Sequence, residues 1–129
     1  MPEKMTVEMQ QMAREWLAND PPVAEPEPMT GTERRREIVR RVEGCVCRDR
    51  QNTYGDAEDN FADIAALANV VLGPKLKEPL EPHDVASFSA CIKLARIKSS
   101  PMHLDNWVDL GGYAVCGGGI VGKLSGELR

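Results

Sequence analysis

Apolar residues recur at every third or fourth position along most of this 129-residue chain, and prolines or glycines interrupt the pattern. This spacing is typical of amphipathic helices, whereas strands favour alternation of apolar and polar residues. No sustained alternation occurs, and aromatic residues make up only 5% of the chain. The sequence therefore predicts an all-α protein with four main helices and an extra N-terminal helix.

Prolines and glycines divide the chain into four parts. Residues 1–19 form an N-terminal amphipathic helix, and residues 20–31 form an acidic, proline-rich linker that can be neither helix nor central strand. Residues 32–119 form the helical core domain, and residues 120–129 form a C-terminal tail. The N-terminal helix is an appendage whose Met-rich face buries against the core, a partner subunit or another protein; its apolar residues are Met5, Met9, Met12, Trp16 and Leu17.

Within the core domain, turn signals separate four helical segments. The first runs from about residue 32 to 48 and begins with a capping box, and the second ends at Gly73-Pro74. The third runs from about residue 82 to 98, and the fourth from about 103 to 116, where three consecutive glycines end it. In the third segment we expect four residues to point inward: Val85, Phe88, Ile92 and Ala95.

The charge balance limits the classes of partner. The chain has 16 basic and 20 acidic residues, which argues against binding to duplex nucleic acid, since a basic surface supplies most of that affinity. A few cations in one pocket still suffice for a small phosphorylated ligand. The arginines between Arg34 and Arg41 form a basic face, which is either solvated or a site for phosphate or an acidic partner.

No apolar run approaches the roughly 20 residues that cross a membrane, so we expect a cytoplasmic protein without a membrane partner. Its four cysteines are then expected to be reduced thiols.

Two acids stand out in the last predicted helix. Asp105 and Asp109 lie one helical turn apart, and like charges at that spacing repel unless a cation lies between them. The cation is either Mg²⁺ or a basic side chain. Lys93 and Arg96, three residues apart on the preceding helix, are the nearest basic residues in the pattern.

Three spaced motifs carry a resemblance over roughly residues 46–117. The chain resembles a family of small phage and prophage proteins of unassigned function, which is itself distantly similar to the MazG-like all-α nucleoside triphosphate pyrophosphohydrolases. The motifs are Arg50-x-x-x-Tyr54-Gly55-x-x-x-x-Asn60-Phe61, Asp84-Val85-Ala86 with Lys93-x-x-Arg96, and Asp105-Asn106-x-x-Asp109-x-x-x-Tyr113.

The MazG-like resemblance implies a four-helix core, usually completed by dimerisation, and Mg²⁺-dependent hydrolysis of a nucleoside triphosphate to monophosphate and pyrophosphate. Such enzymes hold Mg²⁺ through acidic runs on two helices. Asp109 matches the second run best, with Asp105 beside it. Acids of the first run are replaced here, since the preceding helix carries Ser87, Ser89, Lys93 and Arg96.

A complete site would need further ligands. Asp59 and Asp63 repeat the four-residue spacing and are the predicted additional oxygen donors for Mg²⁺. Phosphate contacts would come from Lys93, Arg96 and Arg50, and base contacts from Tyr54 and Asn60. No catalytic residue is assigned.

The same residues allow two other functions. If Lys93 and Arg96 form salt bridges with Asp105 and Asp109, the protein is a structural protein or a non-catalytic binder, such as a phage protein that sequesters a nucleotide. A helical interaction module without a ligand, which uses the Met-rich N-terminal helix, is the third hypothesis.

Overall fold

A computed structural model describes residues 4–49 and 56–129. Within these ranges the chain forms five α-helices and no strand, which confirms the all-α prediction. A π-helical segment, Gly44–Asp49, continues directly from α2, and a 3₁₀ turn, Gly73–Lys75, follows α3. The helices are α1 Val7–Ala18, α2 Gly31–Glu43, α3 Ala57–Leu72, α4 Pro82–Ser99 and α5 Leu104–Ser125.

Local sequence explains where the helices start. Thr30 accepts a hydrogen bond from the Glu33 amide (3.2 Å), and Glu33 accepts one from the Thr30 amide (2.7 Å), so the predicted capping box opens α2. Thr6 caps α1 in the simpler way, by accepting from the Met9 amide. Pro82 occupies the first turn of α4, where its missing N–H is not needed.

The core lies between α3, α4 and α5. α4 and α5 form a closely packed hairpin, α3 packs mainly on α4, and α2 packs on α5. The side chain of Asn69 secures the connection between α3 and α4, because its amide both donates to the Leu80 carbonyl (3.0 Å) and accepts from the Leu80 amide (2.7 Å). The buried cluster consists of Phe61, Ala65, Val85, Ala86, Cys116 and Ile120.

Glycines in α5 allow the other helices to come close. A Cβ on Gly117 would lie 3.0 Å from the Ala86 Cβ of α4, and one on Gly111 would lie 3.0 Å from a Val42 methyl of α2. Close packing at these positions explains why α5 contains glycines, although each one destabilises a helix by about 1 kcal/mol relative to Ala.

The prediction that α5 ends at Gly117–Gly119 was wrong. The helix runs to Ser125 and ends at Gly126, which has the left-handed φ of 78° that favours glycine. Packing overrides the local cost of the glycines, because Ile120 beyond them is part of the core. Six of the ten residues in the predicted C-terminal tail, 120–125, are thus helical.

Two other local predictions need correction. Residues 44–49 form a π-helix instead of a continuation of the α-helix. In α4 only Val85 of the four residues predicted to be inward is buried; Phe88 is 70% exposed, and Ile92 and Ala95 are also exposed. The packed face of α4 instead contains Ala86 and the half-buried Lys93, because the close approach of α5 requires a small residue at Ala86.

α1 is a helix, as predicted, but it buries none of its residues. Its apolar face is exposed in the structure. No helix among the described residues is long and apolar enough to cross a membrane.

Candidate functional site

Lys93 and Asp109 form an ion pair across the α4–α5 hairpin. The Lys93 Nζ lies 2.6 Å from a carboxylate oxygen of Asp109, and the Lys93 side chain is only 12% exposed. This is the salt-bridge alternative that the sequence left open, and it holds for this pair. Asp105 and Arg96 are both exposed, and neither forms an ion pair with a described residue.

An open cleft of about 690 Å³ lies where α4 passes into α5. Apolar side chains of α4 form one part of the wall, and polar groups from the end of α4 and the start of α5 form the rest. The lining residues are Ile92, Ala95, Arg96, Ser99, Ser100, His103 and Asn106.

Asn106 is the most informative residue of the cleft. It is only 6% exposed, and it is the one polar residue in the buried set of the described chain. Buried side-chain amides almost always have hydrogen-bond partners. No hydrogen bond joins the Asn106 side chain to a described residue, and its amide atoms are not among the fully buried unpartnered ones, so they are accessible at the cleft and can donate and accept there.

Arg96 and the start of α5 give the cleft its positive character. The Arg96 guanidinium carries five donors without a carboxylate partner in the described parts of the chain. His103 is the N-cap residue of α5, but its side chain makes no capping hydrogen bond to the helix. The first-turn N–H groups and the positive end of the helix dipole therefore lie beside the cleft. This arrangement suits an anionic ligand with an apolar portion.

The predicted magnesium ligands do not come together in the described chain. Across residues 4–49 and 56–129, no three His, Cys, Asp or Glu side chains form a metal-binding group. Asp59 and Asp63 lie exposed on α3, and Asp109 is paired with Lys93. Taken alone, these acids do not fit Mg²⁺, and magnesium binding stays a prediction.

The remaining predicted site residues divide into two groups. Asn60 is half-buried on α3, next to the core residue Phe61. Arg50 and Tyr54, predicted to contact phosphate and base, lie outside the described residues. Their roles stay predictions.

The basic face of α2 is partly compensated from within the helix. Glu37 accepts hydrogen bonds from Arg40 (2.7 Å) and Arg41 (2.9 Å). These bonds, first that of Arg40, lower the pKa of Glu37 from 4.5 to about 2. Two of the arginines are thus engaged with a carboxylate of their own helix.

Sequence reasoning identified Lys93, Arg96 and Asp109 but did not place Asn106 in a cleft. One sequence signal was available: Asn106, Tyr113 and Gly117 are spaced by seven and four residues, so they fall on one side of a helix. A polar residue in such a series is a candidate for an inward-facing ligand contact.

Comparison with known proteins connects this geometry to a family. Residues 37–121 match the family described as a domain of unknown function, DUF6378. The chain belongs to this family. The DUF6378 region includes α4, most of α5 and the cleft between them, whereas α1 and the linker precede it.

Two relatives are phage proteins. The chain is 32% identical over 79 residues to the Gene 55 protein of Mycobacterium phage D29, covering 61% of this chain and 50% of that protein. It is 34% identical over 77 residues to the Gene 55 protein of Mycobacterium phage L5, covering 60% and 47%. The chain thus spans about half the length of these relatives.

No solved structure matches the chain. The resemblance to a phage protein family is confirmed, while the similarity to MazG-like enzymes is not shown by these comparisons.

Proposed function

We propose that this DUF6378 protein binds a nucleotide or another small phosphorylated molecule in the α4–α5 cleft and does not hydrolyse it. The observation that carries the proposal is the position of Asn106, a buried side-chain amide without a described partner, in the same cleft as Arg96. We place this function in the cytoplasm of the bacterial host, where phosphorylated ligands are abundant.

Each polar group of the cleft has a suitable role toward such a ligand. The Arg96 guanidinium can hold two phosphate oxygens at once, and the start of α5 offers backbone N–H groups and a favourable dipole. The Asn106 amide can donate to a phosphate or pair with the edge of a base. Ile92 and Ala95 form the apolar wall on which a sugar or base can rest.

The ion pair between Lys93 and Asp109 favours binding over hydrolysis. Hydrolysis of the MazG-like kind needs carboxylates that are free to hold Mg²⁺ and activate water. Asp109, the acid that best matches the MazG-like pattern, is occupied by an ammonium group 2.6 Å away. Sequestration of a ligand requires no such metal.

Calorimetric titration tests the proposal directly. Nucleoside mono-, di- and triphosphates and inorganic phosphate are titrated with and without Mg²⁺, and pyrophosphate release is followed in parallel. We expect at least one ligand to bind without Mg²⁺ and without turnover. Binding that requires Mg²⁺, together with pyrophosphate release, would instead support the MazG-like hydrolase.

A matched pair of variants locates the binding site. Arg96→Ala removes the cleft cation, and loss of one charge-assisted bidentate contact is expected to weaken binding about tenfold or more. Lys98→Ala removes a cation from the same helix that does not line the cleft. Equal effects of the two variants, or no binding by any ligand of the panel, would overturn the proposal.

A further inference from the structure

The N-terminal helix α1 is an amphipathic helix without a partner in the structure. Its apolar seam consists of Met9, Met12 and Trp16, with Met5 just before the helix continuing the same spacing, and all four are exposed. Trp16 is 81% exposed. An isolated helix of 12 residues is marginal in water, so α1 needs a surface that buries this seam.

The chain exposes more surface than a compact monomer of the same mass. A compact monomer of 14.2 kDa exposes about 6,800 Å² according to the size scaling of monomeric proteins. This chain exposes 10932 Å². The excess of about 4,000 Å² is several times the roughly 800 Å² that each partner buries in a standard protein interface.

A matching seam lies on α3, beside the face that packs into the core. Ile64, Leu67 and Val71 follow at three- and four-residue spacing, and Leu67 and Val71 are 68% and 75% exposed. The seam has the length of about two helical turns and carries no charged residue at these positions. It therefore offers an apolar track about two-thirds as long as the α1 seam, which runs from residue 5 to 16.

The linker determines which α3 the helix can reach most readily. Twelve residues, 19–30, separate α1 from α2, and four of them are prolines: Pro21, Pro22, Pro26 and Pro28. Proline-rich linkers extend by about 3.1 Å per residue, so this one can span about 37 Å, which lets α1 reach a neighbouring chain. The extended geometry favours the core of another chain.

We infer that α1 of one chain packs along the Ile64–Leu67–Val71 seam of a second copy, so that two chains exchange their N-terminal helices. The 12 residues of α1, fewer than two heptads, are too few for a stable pair of α1 helices alone, whereas docking on α3 adds the seam to an existing core. The adaptable side chains of Met5, Met9 and Met12 suit such a contact. This interface lies outside the proposed ligand cleft.

The mass of the full chain in solution, measured by sedimentation over a range of concentrations, tests this interface. We expect a dimer for the unchanged protein, and a dissociation constant raised at least about tenfold by Met12→Lys or by Leu67→Glu, because each buries a charge in the seam. The control variants Gln10→Lys and Ala66→Glu place the same charges outside the two seams, and we expect them to remain dimeric.

Mixing the two seam variants distinguishes exchange between chains from folding back within one chain. In an equimolar mixture, Met12→Lys of one chain meets Leu67→Glu of the other, while the second interface is unchanged, so we expect a heterodimer to form. A monomeric unchanged protein, equal loss of the dimer in the controls, or a mixture that stays monomeric would overturn the inference. A dimer that persists in both seam variants would also overturn the inference.

Discussion

The Lys93 ammonium lies 2.6 Å from the Asp109 carboxylate, and this contact joins the two most closely packed helices of the protein. The positive charge of Lys93 offsets the repulsion between Asp105 and Asp109 without a metal ion. The acid that most resembles a metal ligand is therefore part of the hairpin's own packing.

This ion pair should contribute to stability. Lys93→Met keeps the length of the side chain but removes its charge, and we expect the free energy of unfolding to fall by about 1 kcal/mol. Asp109→Asn should have a similar effect. A double-mutant cycle measured by denaturant unfolding should give a coupling energy of about 1 kcal/mol, which decreases at high salt.

The control for this cycle is Lys98→Met, since Lys98 lies on the same helix and has no ion pair among the described residues. Strict additivity of Lys93→Met and Asp109→Asn would show that the two groups do not interact in solution.

Neighbouring glycines of α5 should respond to alanine in opposite directions. Gly117→Ala brings a Cβ to 3.0 Å from the Ala86 Cβ, and separating the helices is expected to cost about 1–3 kcal/mol. Gly118→Ala meets nothing within 4 Å and should gain about 0.5–1 kcal/mol from helix propensity. Thermal unfolding of the two variants checks both signs, and stabilisation by Gly117→Ala would contradict the observed helix approach.

The pairing of Glu37 with Arg40 and Arg41 makes the stability of α2 dependent on pH. Since the folded-state pKa of Glu37 is lowered from 4.5 to about 2, its contribution is present above pH 4.5 and is lost as the pH falls toward 2. The melting temperatures of the unchanged protein and of Glu37→Gln should differ near neutral pH and converge in acid. A difference that stays constant down to pH 2 would contradict this assignment.

Helix periodicity made most of the fold predictable. The all-α class, the capping box at Thr30 and the break at Gly73 follow from local patterns, and the structure shows each of them. The end of α5 was not predictable in this way, because a glycine that permits close packing and one that ends a helix look alike in a sequence. Gly117 belongs to the first kind and Gly126 to the second.

The candidate site was only partly predictable for a related reason. Periodicity placed Phe88 and Val85 on one inward face, but burial of α4 depends on which neighbour packs against it, and Phe88 is exposed. Spacing also predicted that Lys93 and Asp109 lie on neighbouring helices, but it could not show whether they form an ion pair or contact the same ligand. That decision, like the burial of Asn106, depends on distances in the folded hairpin.

The proposal that the α4–α5 cleft binds a phosphorylated ligand can be checked residue by residue by nuclear magnetic resonance of the ¹⁵N-labelled protein. The side-chain amide signals of Asn106 and the Arg96 Nε–H signal are followed during titration with a nucleoside triphosphate, without Mg²⁺. We predict saturable shifts of both, with smaller shifts on α1 and α2. Binding that leaves Asn106 and Arg96 unchanged, or no saturable shift with any phosphorylated ligand of the panel, would contradict the claim.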